Sequence, residues 1–540
     1  MSNKSSIHPS FGVLVSVFFF WGFVAASNGI FIPFCKQHFN LSQFESQLID
    51  AAFYSAYFYG SLLLYMSSYL LKTDLLNSIG YKKGILTGLF ISAIGASGLA
   101  IASSLDGVSF SIVLLCFFII ALGFSLQQTA AQPYVVAMGT PETGAHRLNL
   151  AGGVNSFGTL LGPLVVSFLL FGNIASGSDG ASLISIQNLY IFLAVLFVLV
   201  MLIFGFSKLP KITNTEEMER SPKALLVLSM IGILFPIILF ADFISSLTGI
   251  NKNHLVILVL LLTLGILFLA MFLSSHNKKG WGAMQYPQLI LGMIAIFIYV
   301  GVEVTIQSNF GALLKQEEFG AFDESNISLF ISLYWGSLMI GRWTGALSVF
   351  KLNALQKRIL TVVVPFIAFA LIILVNIIKG NSVQTLFIYP VCILFLIMVL
   401  LISNDSPAKM MLLVSLAGAA AMSIGLLTTG TIATYAFISA GLFCSVMWPC
   451  IFSMAITGLG KYTSQGSAFL IMMILGGALI PPVQGIICDM DIHSPAFNGI
   501  TYTHLSYLIP LVGFIYLIWH TIKSVRSLKK QGFNVQTLQD

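Results

Sequence analysis

The chain has 540 residues, a net charge of +6, 57 % hydrophobic residues and only 8 % charged residues. A soluble domain carries about 25 % charged residues, so this composition excludes a soluble enzyme and a nucleic-acid-binding protein. The mean hydropathy of +0.95 and the recurring apolar windows, each long enough to cross a hydrocarbon core of roughly 30 Å, predict an all-α polytopic membrane protein.

The apolar windows predict sixteen transmembrane helices. The first of them contains Trp21, Asn28, Gly29 and Pro33, and such residues usually bend a membrane helix around something that binds there. We therefore expect this helix to be locally irregular. In chain order, the predicted spans cover about residues 11–34, 45–71, 84–104, 109–138, 147–172, 187–207, 223–244, 253–274, 286–313, 326–349, 358–378, 383–403, 409–428, 431–459, 464–488 and 504–522.

The distribution of basic residues predicts the orientation of these spans. Twenty of the 25 lysines and arginines fall in connections on the side of both chain ends, four fall on the other side, and Arg342 lies within a span. Because cytoplasmic loops carry the excess of Lys and Arg, we expect both termini in the cytoplasm and the protein in the cytoplasmic (inner) membrane. Residues 523–540 then form a cytoplasmic tail.

An internal repeat divides the chain. Three segments recur in the same order, and the residues that they pair are Gly60 with Gly336, Pro133 with Pro449, and Pro163 with Pro482. The repeat predicts two parallel six-helix bundles, at 1–207 and 281–522. The remaining residues predict two additional helical hairpins, one in the linker 208–280 and one at about 358–403. Parallel six-helix halves are typical of the major facilitator fold, whose substrate site lies between them.

The sequence carries no motif for catalysis or metal binding. Its six cysteines are scattered without CxxC or Cys/His spacing, which is typical of small core residues. HExxH, GxSxG and phosphate-binding glycine loops do not occur, and no soluble segment is large enough for a nucleotide-driven motor. We therefore expect a protein that is not an enzyme and has no cofactor, apart from a coupling ion.

Several segments resemble successive signatures of one family. The segments are "WGFVAASNGIFIPFCKQHF" from Trp21, "QTAAQPYVVAMG" from Gln128, "HRLNLAGGVNSFGTLLGPL" from His146, "YVGVEVTIQS" from Tyr299 and "GRWTGALSVF" from Gly341. In them the chain resembles the fucose–galactose–glucose:proton symporter family, the fucose permease-like sugar transporters of the major facilitator superfamily. The resemblance covers the twelve core helices and neither inserted hairpin.

The resemblance and the residue chemistry together predict a sugar site. Neutral amides can both donate to and accept from sugar hydroxyl groups, and aromatic faces stack on the C–H side of a pyranose. The predicted substrate-binding residues are Asn28, Tyr54, Tyr57, Gln128, Gln132, Asn155, Glu303, Gln307 and Trp335. For any one amide, Gln127 and Asn149 included, the alternative is a structural hydrogen bond to a neighbouring helix.

The acidic residues within the predicted spans indicate which side chains carry out ion coupling. Members of the family carry carboxylates where this chain has Gly29 and Gln128, so the positions associated with proton coupling are altered. Glu303 is the only acid predicted at full membrane depth, where an ionised group is costly. We expect it to take a coupling proton or sodium ion, with structural pairing to a neighbouring helix as the alternative. Asp50 is a second candidate, as an external gate or an interfacial anchor.

Two arginines are predicted gate residues. Arg147 begins the fifth core helix, and Arg342 lies toward the cytoplasmic end of its span, where it braces a gate or snorkels to the interface.

Together these features predict a secondary active transporter that imports a hexose or related monosaccharide by alternating access, coupled to a proton or sodium ion. The alternatives are an uncoupled sugar facilitator and a transporter of another small polar solute. A membrane enzyme or lipid flippase lacks support, because the spans carry no catalytic motif and no basic cavity. We expect a monomer whose partners are a sugar and the lipid bilayer, with no nucleic acid.

Overall fold

A computed structural model of the protein describes residues 10–40, 43–105, 107–171, 183–212, 220–492 and 500–534. The described chain is all-helical. Its α-helices are α1 (Phe11–His38), α2 (Gln43–Leu71), α3 (Leu75–Ile79), α4 (Tyr81–Ala102), α5 (Phe110–Ala137), α6 (Gly144–Phe171), α7 (Leu183–Phe206), α8 (Pro222–Leu239), α9 (Ala241–Thr248), α10 (Lys252–His276), α11 (Pro287–Ser308), α12 (Phe310–Leu314), α13 (Glu324–Gly345), α14 (Ala354–Ile378), α15 (Pro390–Ser403), α16 (Pro407–Leu427), α17 (Gly430–Cys444), α18 (Met447–Ile456), α19 (Thr463–Met472), α20 (Gly476–Cys488), α21 (Tyr502–Leu505) and α22 (Leu508–Lys530). Short 3-10 helices cover Pro141–Thr143, Gly282–Gln285, Glu317–Phe319, Leu347–Val349, Gln384–Ile388, Gly460–Tyr462, Met473–Leu475 and Asp489–Ile492.

Twelve candidate spans in the described chain are long and apolar enough to cross a membrane. The prediction of sixteen spans is therefore not supported, since twelve are found there. The helices α2, α6 and α13 fall outside the twelve, and the qualifying apolar stretch of α1 is only Phe11–Ala26. In α2, α6 and α13 the physical reason is composition, because these helices carry polar side chains and glycines that contact other helices inside the protein. The apolar stretch of α1 ends at Ala26 because the side chains that follow it lie outside those that the structure describes.

The expected irregularity of the first helix is wrong. The helix α1 runs without a break from Phe11 to His38, through the segment that contains Asn28, Gly29 and Pro33. At membrane depth the backbone has no water to bond instead, so a helix persists across a proline that removes one hydrogen bond. The side chains of residues 27–34 lie outside those that the structure describes.

The long helices pack in two groups. In the N-terminal group, α1–α7, the main packing is α1 on α6, α4 on α5 and α7, and α2 on α5. In the C-terminal group, α11–α13 and α16–α22, the helix α11 packs on α18, α20 and α22, and α16 packs on α17 and α22. The two groups touch mainly through α6 with α13 and through α2 and α5 with α19.

Two hairpins lie outside these groups. The first, α8 with α10, packs on α2 on one side and on α11 and α20 on the other, with the Tyr59 hydroxyl donating to the Gly232 carbonyl at 2.8 Å. The second, α14 with α15, packs on α13, α16 and α17. The hydroxyls of Ser337 and Tyr389, 2.5 Å apart, join this hairpin to α13.

Both ends of the described chain lie on one side of the molecule, which we call the terminal side. A continuous set of contacts links them, namely Ser10 Oγ to Lys208 O (3.0 Å), Lys82 Nζ to Ser207 O (2.7 Å), Asn77 Nδ2 to Lys461 O (3.0 Å), and Phe533 packed beside Gly458. The turns that connect α5 with α6, α13 with α14 and α15 with α16 lie on this side as well.

Glycines let α1 and α6 approach each other closely. A Cβ atom at Gly158 would lie 2.1 Å from the Phe19 carbonyl oxygen, and one at Gly22 would lie 2.0 Å from that of Asn155. Small residues at a membrane-helix interface allow this approach of two backbones. Because the helices are so close, the Asn155 amide donates to the Phe18 carbonyl at 3.0 Å.

We predict that Gly158→Val separates α1 from α6 and lowers the free energy of unfolding by about 2 kcal/mol or more, because the added methyl groups meet backbone that cannot move aside. The measurement is thermal stability of the detergent-purified protein by fluorescence-detected size exclusion. The matched control is Gly265→Val in α10, where a Cβ would meet no atom within 4 Å. Equal stability of the two variants would contradict the close packing.

Candidate functional site

A buried ion pair lies where α11 and α13 meet. Glu303 of α11 is 9 % exposed, and its Oε1 lies 3.7 Å from Nη2 of Arg342 on α13. One helical turn of α11 nearby is also fixed to α13, because the Tyr334 hydroxyl donates to the Glu303 carbonyl at 2.7 Å. Opposite charges that are both removed from water stabilise each other at this depth. The predicted coupling residue and one predicted gate residue are thus partners.

A backbone carbonyl holds Arg342 from a second direction. Between α17 and α18 the helix is interrupted, and Pro449 has no N–H to donate to the Ser445 carbonyl four residues earlier. Arg342 Nε donates to this carbonyl at 3.1 Å. A proline that the internal repeat singles out therefore provides an acceptor for the guanidinium group.

The third contact of Arg342 crosses to the N-terminal group. Its Nη1 donates to Ser156 Oγ on α6 at 2.8 Å, and Ser156 is 4 % exposed. One turn earlier, a Cβ at Gly152 would lie 3.2 Å from the Arg342 Cδ, and one at Gly153 would lie 2.6 Å from the Trp343 Cδ1. Trp343 Nε1 also donates to the Gly153 carbonyl at 3.1 Å. The two glycines therefore form a slot on α6 that receives Arg342 and Trp343.

The slot is part of a larger interface, which we call the seam: the contacts between the two groups toward the terminal side. Pro133 leaves the Thr129 carbonyl without a helical partner, and Ser467 Oγ of α19 donates to it at 2.9 Å. The other seam contacts are Arg342 with Ser156, Trp343 with Gly153, Ser464 with Asp74 (3.0 Å), Asn77 with the Lys461 carbonyl, and His146 with the carbonyls of Gly345 (2.7 Å) and Asp405 (3.1 Å).

Asp74 lies at the N-cap of α3, outside the long helices, and is 7 % exposed. Burial raises the pKa of its carboxyl, although the Asn77 N–H and the Ser464 hydroxyl oppose the shift by donating to it. Closing the seam therefore keeps an acidic group away from water on the terminal side.

Gln127 makes structural hydrogen bonds inside the N-terminal group. Its Oε1 accepts from Trp21 Nε1 at 2.9 Å, and its Nε2 donates to Ser92 Oγ at 3.1 Å. Both polar atoms of the amide are hydrogen-bonded to neighbouring helices, so Gln127 has a structural role and not a sugar-binding one. The contact also gives Trp21 a role, since it fixes α1 against α4 and α5.

The neighbouring amides are less completely used. Gln128 is half-buried and donates to the Tyr57 hydroxyl at 3.1 Å. Gln132 is buried, and its Oε1 has no hydrogen-bond partner among the described residues; the same holds for both polar atoms of the Asn149 amide. Buried polar groups are normally paired, so these amides retain hydrogen-bonding capacity that no described residue uses.

The other predicted substrate residues are placed as follows. The Tyr54 ring approaches Gly477 of α20, with 3.3 Å between its Cε1 and a Cβ built there. Trp335 is half-buried, with its ring centroid 5.8 Å from that of Tyr334. Gln307 is half-buried one turn after Glu303. The side chains of Asn28 and Asp50 lie outside those that the structure describes, so both remain predictions.

Arg147 makes its described contacts within the N-terminal group. It donates to the carbonyls of Val135 and Thr140, each at 2.9 Å, near the end of α5, where a cation is favoured by the helix dipole. The residue beside it, His146, is the one that crosses the seam. A gating role for Arg147 stays a prediction and would act through the turn that joins α5 to α6.

Sequence reasoning missed Ser156, Ser445 and the glycine slot. A signal for Ser445 was available, because a proline always frees the carbonyl four residues earlier and Pro449 was already known from the repeat. Ser156 had no comparable signal, since serines are common in membrane helices and usually bond their own backbone.

Known proteins resemble this chain over most of its length. A family profile described as Major Facilitator Superfamily matches residues 13–404. A glucose/galactose transporter of Brucella abortus (biovar 1, strain 9-941) is 28 % identical over 95 % of this chain and 93 % of the relative. The L-fucose-proton symporter of Escherichia coli (strain K12) is 24 % identical over 90 % of this chain and 88 % of the symporter. The crystal structure of the transporter FucP in the outward conformation superimposes with a TM-score of 0.62, at 22 % identity, over 96 % of this chain and 98 % of FucP.

We predict that Arg342→Gln lowers the free energy of unfolding by about 3 kcal/mol or more, because it leaves the Glu303 carboxylate buried without its cation. The double variant Arg342→Gln/Glu303→Gln should lose less than the sum of the single variants, because neither charge then remains. Thermal unfolding of the four proteins measures this coupling.

The control for this cycle is Lys357→Gln, which breaks the half-exposed Lys357–Asp405 ion pair and should cost about 1 kcal/mol or less. Strictly additive losses at Arg342 and Glu303 would contradict a stabilising pair.

Proposed function

The chain belongs to the Major Facilitator Superfamily, and we propose that it imports a hexose or related monosaccharide by alternating access, coupled to a proton. The names of its relatives support the substrate class, since proteins that align over almost the whole chain are a glucose/galactose transporter and an L-fucose-proton symporter. The chain is a multi-pass membrane protein, and a fold of this kind transports by moving one half against the other.

The observation that carries the proposal is the Glu303–Arg342 pair. Charged side chains within membrane helices are costly and usually mark substrate or ion pathways. Glu303 lies in the C-terminal group, while its partner Arg342 also touches Ser156 in the N-terminal group. The one described acid inside a long helix is therefore connected to the interface that must open and close during transport.

The sugar would bind beside this pair, between the two groups. Gln128, Gln132 and Asn155 supply amides from the N-terminal group, with Asn28 as a further candidate, and Tyr57 positions Gln128. From the C-terminal group Glu303, Gln307 and Trp335 would contact the sugar, and Tyr54 of the N-terminal group would complete the aromatic surface. This set matches a monosaccharide, which needs several donors and acceptors and one apolar face.

We also propose the arrangement in the membrane. The helices α1, α2, α6 and α13 have 28, 29, 28 and 22 residues, enough to cross, and their packing against apolar spans supports sixteen crossings in two parallel six-helix halves with two hairpins. The excess of Lys and Arg on the terminal side supports a cytoplasmic location of both ends in the inner membrane. We propose a monomer, with Asp50 near the opposite face.

Transport requires the two groups to separate. Two small cavities, each of about 20 Å³, lie at the terminal side against Tyr65, Ser68, Asp74 and Gln465, and neither touches Glu303 or Arg342. Ligand sites usually have several hundred Å³. With the seam closed, we therefore propose that a sugar reaches the pair from the side opposite the seam.

The direct test is uptake of radiolabelled glucose, galactose and fucose into proteoliposomes, with and without an imposed proton gradient. We expect gradient-driven accumulation of at least one of them, with unlabelled sugars competing. No specific uptake of any monosaccharide would refute the proposal, and uptake that never exceeds equilibration would make the protein a facilitator.

We predict that Gln128→Ala, Asn155→Ala and Asn28→Ala each weaken sugar binding, because each removes a hydrogen bond worth roughly 0.5–1.5 kcal/mol to a sugar hydroxyl. Equilibrium binding of the transported sugar measures the effect. Gln384→Ala, an exposed amide in the second hairpin, is the control and should bind as the wild type does. If all three variants keep wild-type affinity, the assignment of the amides is wrong.

We predict that Glu303→Gln retains sugar counterflow and loses gradient-driven accumulation, because glutamine still bonds hydroxyl groups and cannot exchange a proton. Gly29 and Gln128, which stand where members of the family carry carboxylates, cannot exchange a proton either. The control is Glu317→Gln, an exposed acid between α12 and α13, which should keep both activities. Accumulation by the Glu303→Gln protein would exclude Glu303 as the coupling residue.

A further inference from the structure

Arg342 makes contacts of two kinds, some within the C-terminal group and one across the seam. Its bond to Ser445 O and its ion pair with Glu303 are internal to the C-terminal group, whereas its bond to Ser156 exists only while the seam is closed. The guanidinium group is planar, so the directions of its nitrogen atoms are fixed relative to one another. When one nitrogen moves, the directions in which the other nitrogens point therefore change as well.

We propose that Arg342 is a positioning residue through which the charge on Glu303 stabilises the closed seam. An ionised Glu303 draws Nη2 toward its Oε1, and this orientation aims Nη1 at the Ser156 hydroxyl. Once Glu303 takes up a proton, the guanidinium loses its charged partner, its bond across the seam weakens, and the seam opens more readily. Linkage makes the effect reciprocal, so that opening the seam favours the protonated acid.

The surroundings of the pair support this role. The groups that face Glu303 are Tyr299 on its own helix, Tyr334 and Arg342 on α13, and Cys444 on α17. Among these, Arg342 is the one with a described contact to the N-terminal group. The slot at Gly152 and Gly153 adds to the effect, because the missing Cβ atoms allow α6 to lie directly against Arg342 and Trp343 when the seam is closed.

The proposal rests on the proposed function for the identity of the coupling residue, and its test needs neither sugar nor gradient. Nitroxide labels are attached to cysteines placed at Lys83 and Lys351, which are exposed near the terminal side in different groups. The half-buried Cys392 and Cys488 are replaced by alanine, and the other four cysteines are buried. Pulsed electron spin resonance in nanodiscs then gives the ratio of open to closed seam.

We expect Glu303→Gln, which mimics the protonated acid, to raise the open-to-closed ratio about five-fold or more, as ordinary coupling between sites does. In a Ser156→Ala background the same change should raise it less than two-fold, because the bond that Glu303 controls is already lost. In a Ser467→Ala background, which removes the matched hydroxyl bond to the Thr129 carbonyl, the five-fold effect should persist. Ser156→Thr keeps the hydroxyl, so the five-fold effect of Glu303→Gln should be present in that background.

The proposal is overturned if Glu303→Gln leaves the ratio unchanged, or if its effect is the same in the Ser156→Ala and Ser467→Ala backgrounds. If Glu303→Gln does not yield folded protein, Arg342→Lys replaces it, since lysine keeps the charge but cannot contact both partners at once. This variant should raise the ratio, and adding Ser156→Ala should raise it no further; an additive effect would refute the proposal. If the wild type takes up no sugar while the spin-label ratios change as expected, only the proposed transport function is refuted.

Discussion

The fixed positive charge of Arg342 is the constraint around which this part of the protein is built. A guanidinium group does not lose its proton in a protein, so its burial requires acceptors in several directions. The structure supplies a carboxylate from Glu303, a carbonyl from Ser445 and a hydroxyl from Ser156. Two of these acceptors belong to the C-terminal group and one to the N-terminal group. The charge therefore serves both the stability of a buried acid and the contact between the two groups of helices.

The internal repeat supplies related backbone features on the two sides of the seam. Pro133 and Pro449 occupy matching positions, and each leaves the carbonyl four residues earlier without a helical donor. The freed carbonyl of Thr129 accepts from Ser467 of the opposite group, whereas that of Ser445 accepts from Arg342 of its own group. A membrane helix tolerates such an interruption only where the protein itself satisfies the backbone. In this chain the side chains that satisfy it are also the side chains that hold the seam.

Much of the fold was predictable from the sequence, because apolar periods, basic loops and a repeat are local or statistical signals. The all-helical class, the superfamily and the special status of Glu303 follow from such signals. The count of spans did not, since helices such as α6 and α13 use polar residues for packing and are less apolar than the other spans. The partner of Glu303 could not be predicted either. Arg342 lies on another helix, and the choice between a gate, an anchor and an ion pair depends on side-chain reach in three dimensions.

The most direct test of the central claim, that transport is coupled through Glu303, is the charge that moves when sugar binds. Proteoliposomes on a solid-supported membrane receive a pulse of the transported sugar with no ion gradient, and the resulting current is recorded. The wild type should move positive charge in the direction of the sugar, while Glu303→Gln should bind the same sugar without current. A current of wild-type size from the Glu303→Gln protein, or no current from the wild type at saturating sugar, would contradict coupling through this residue.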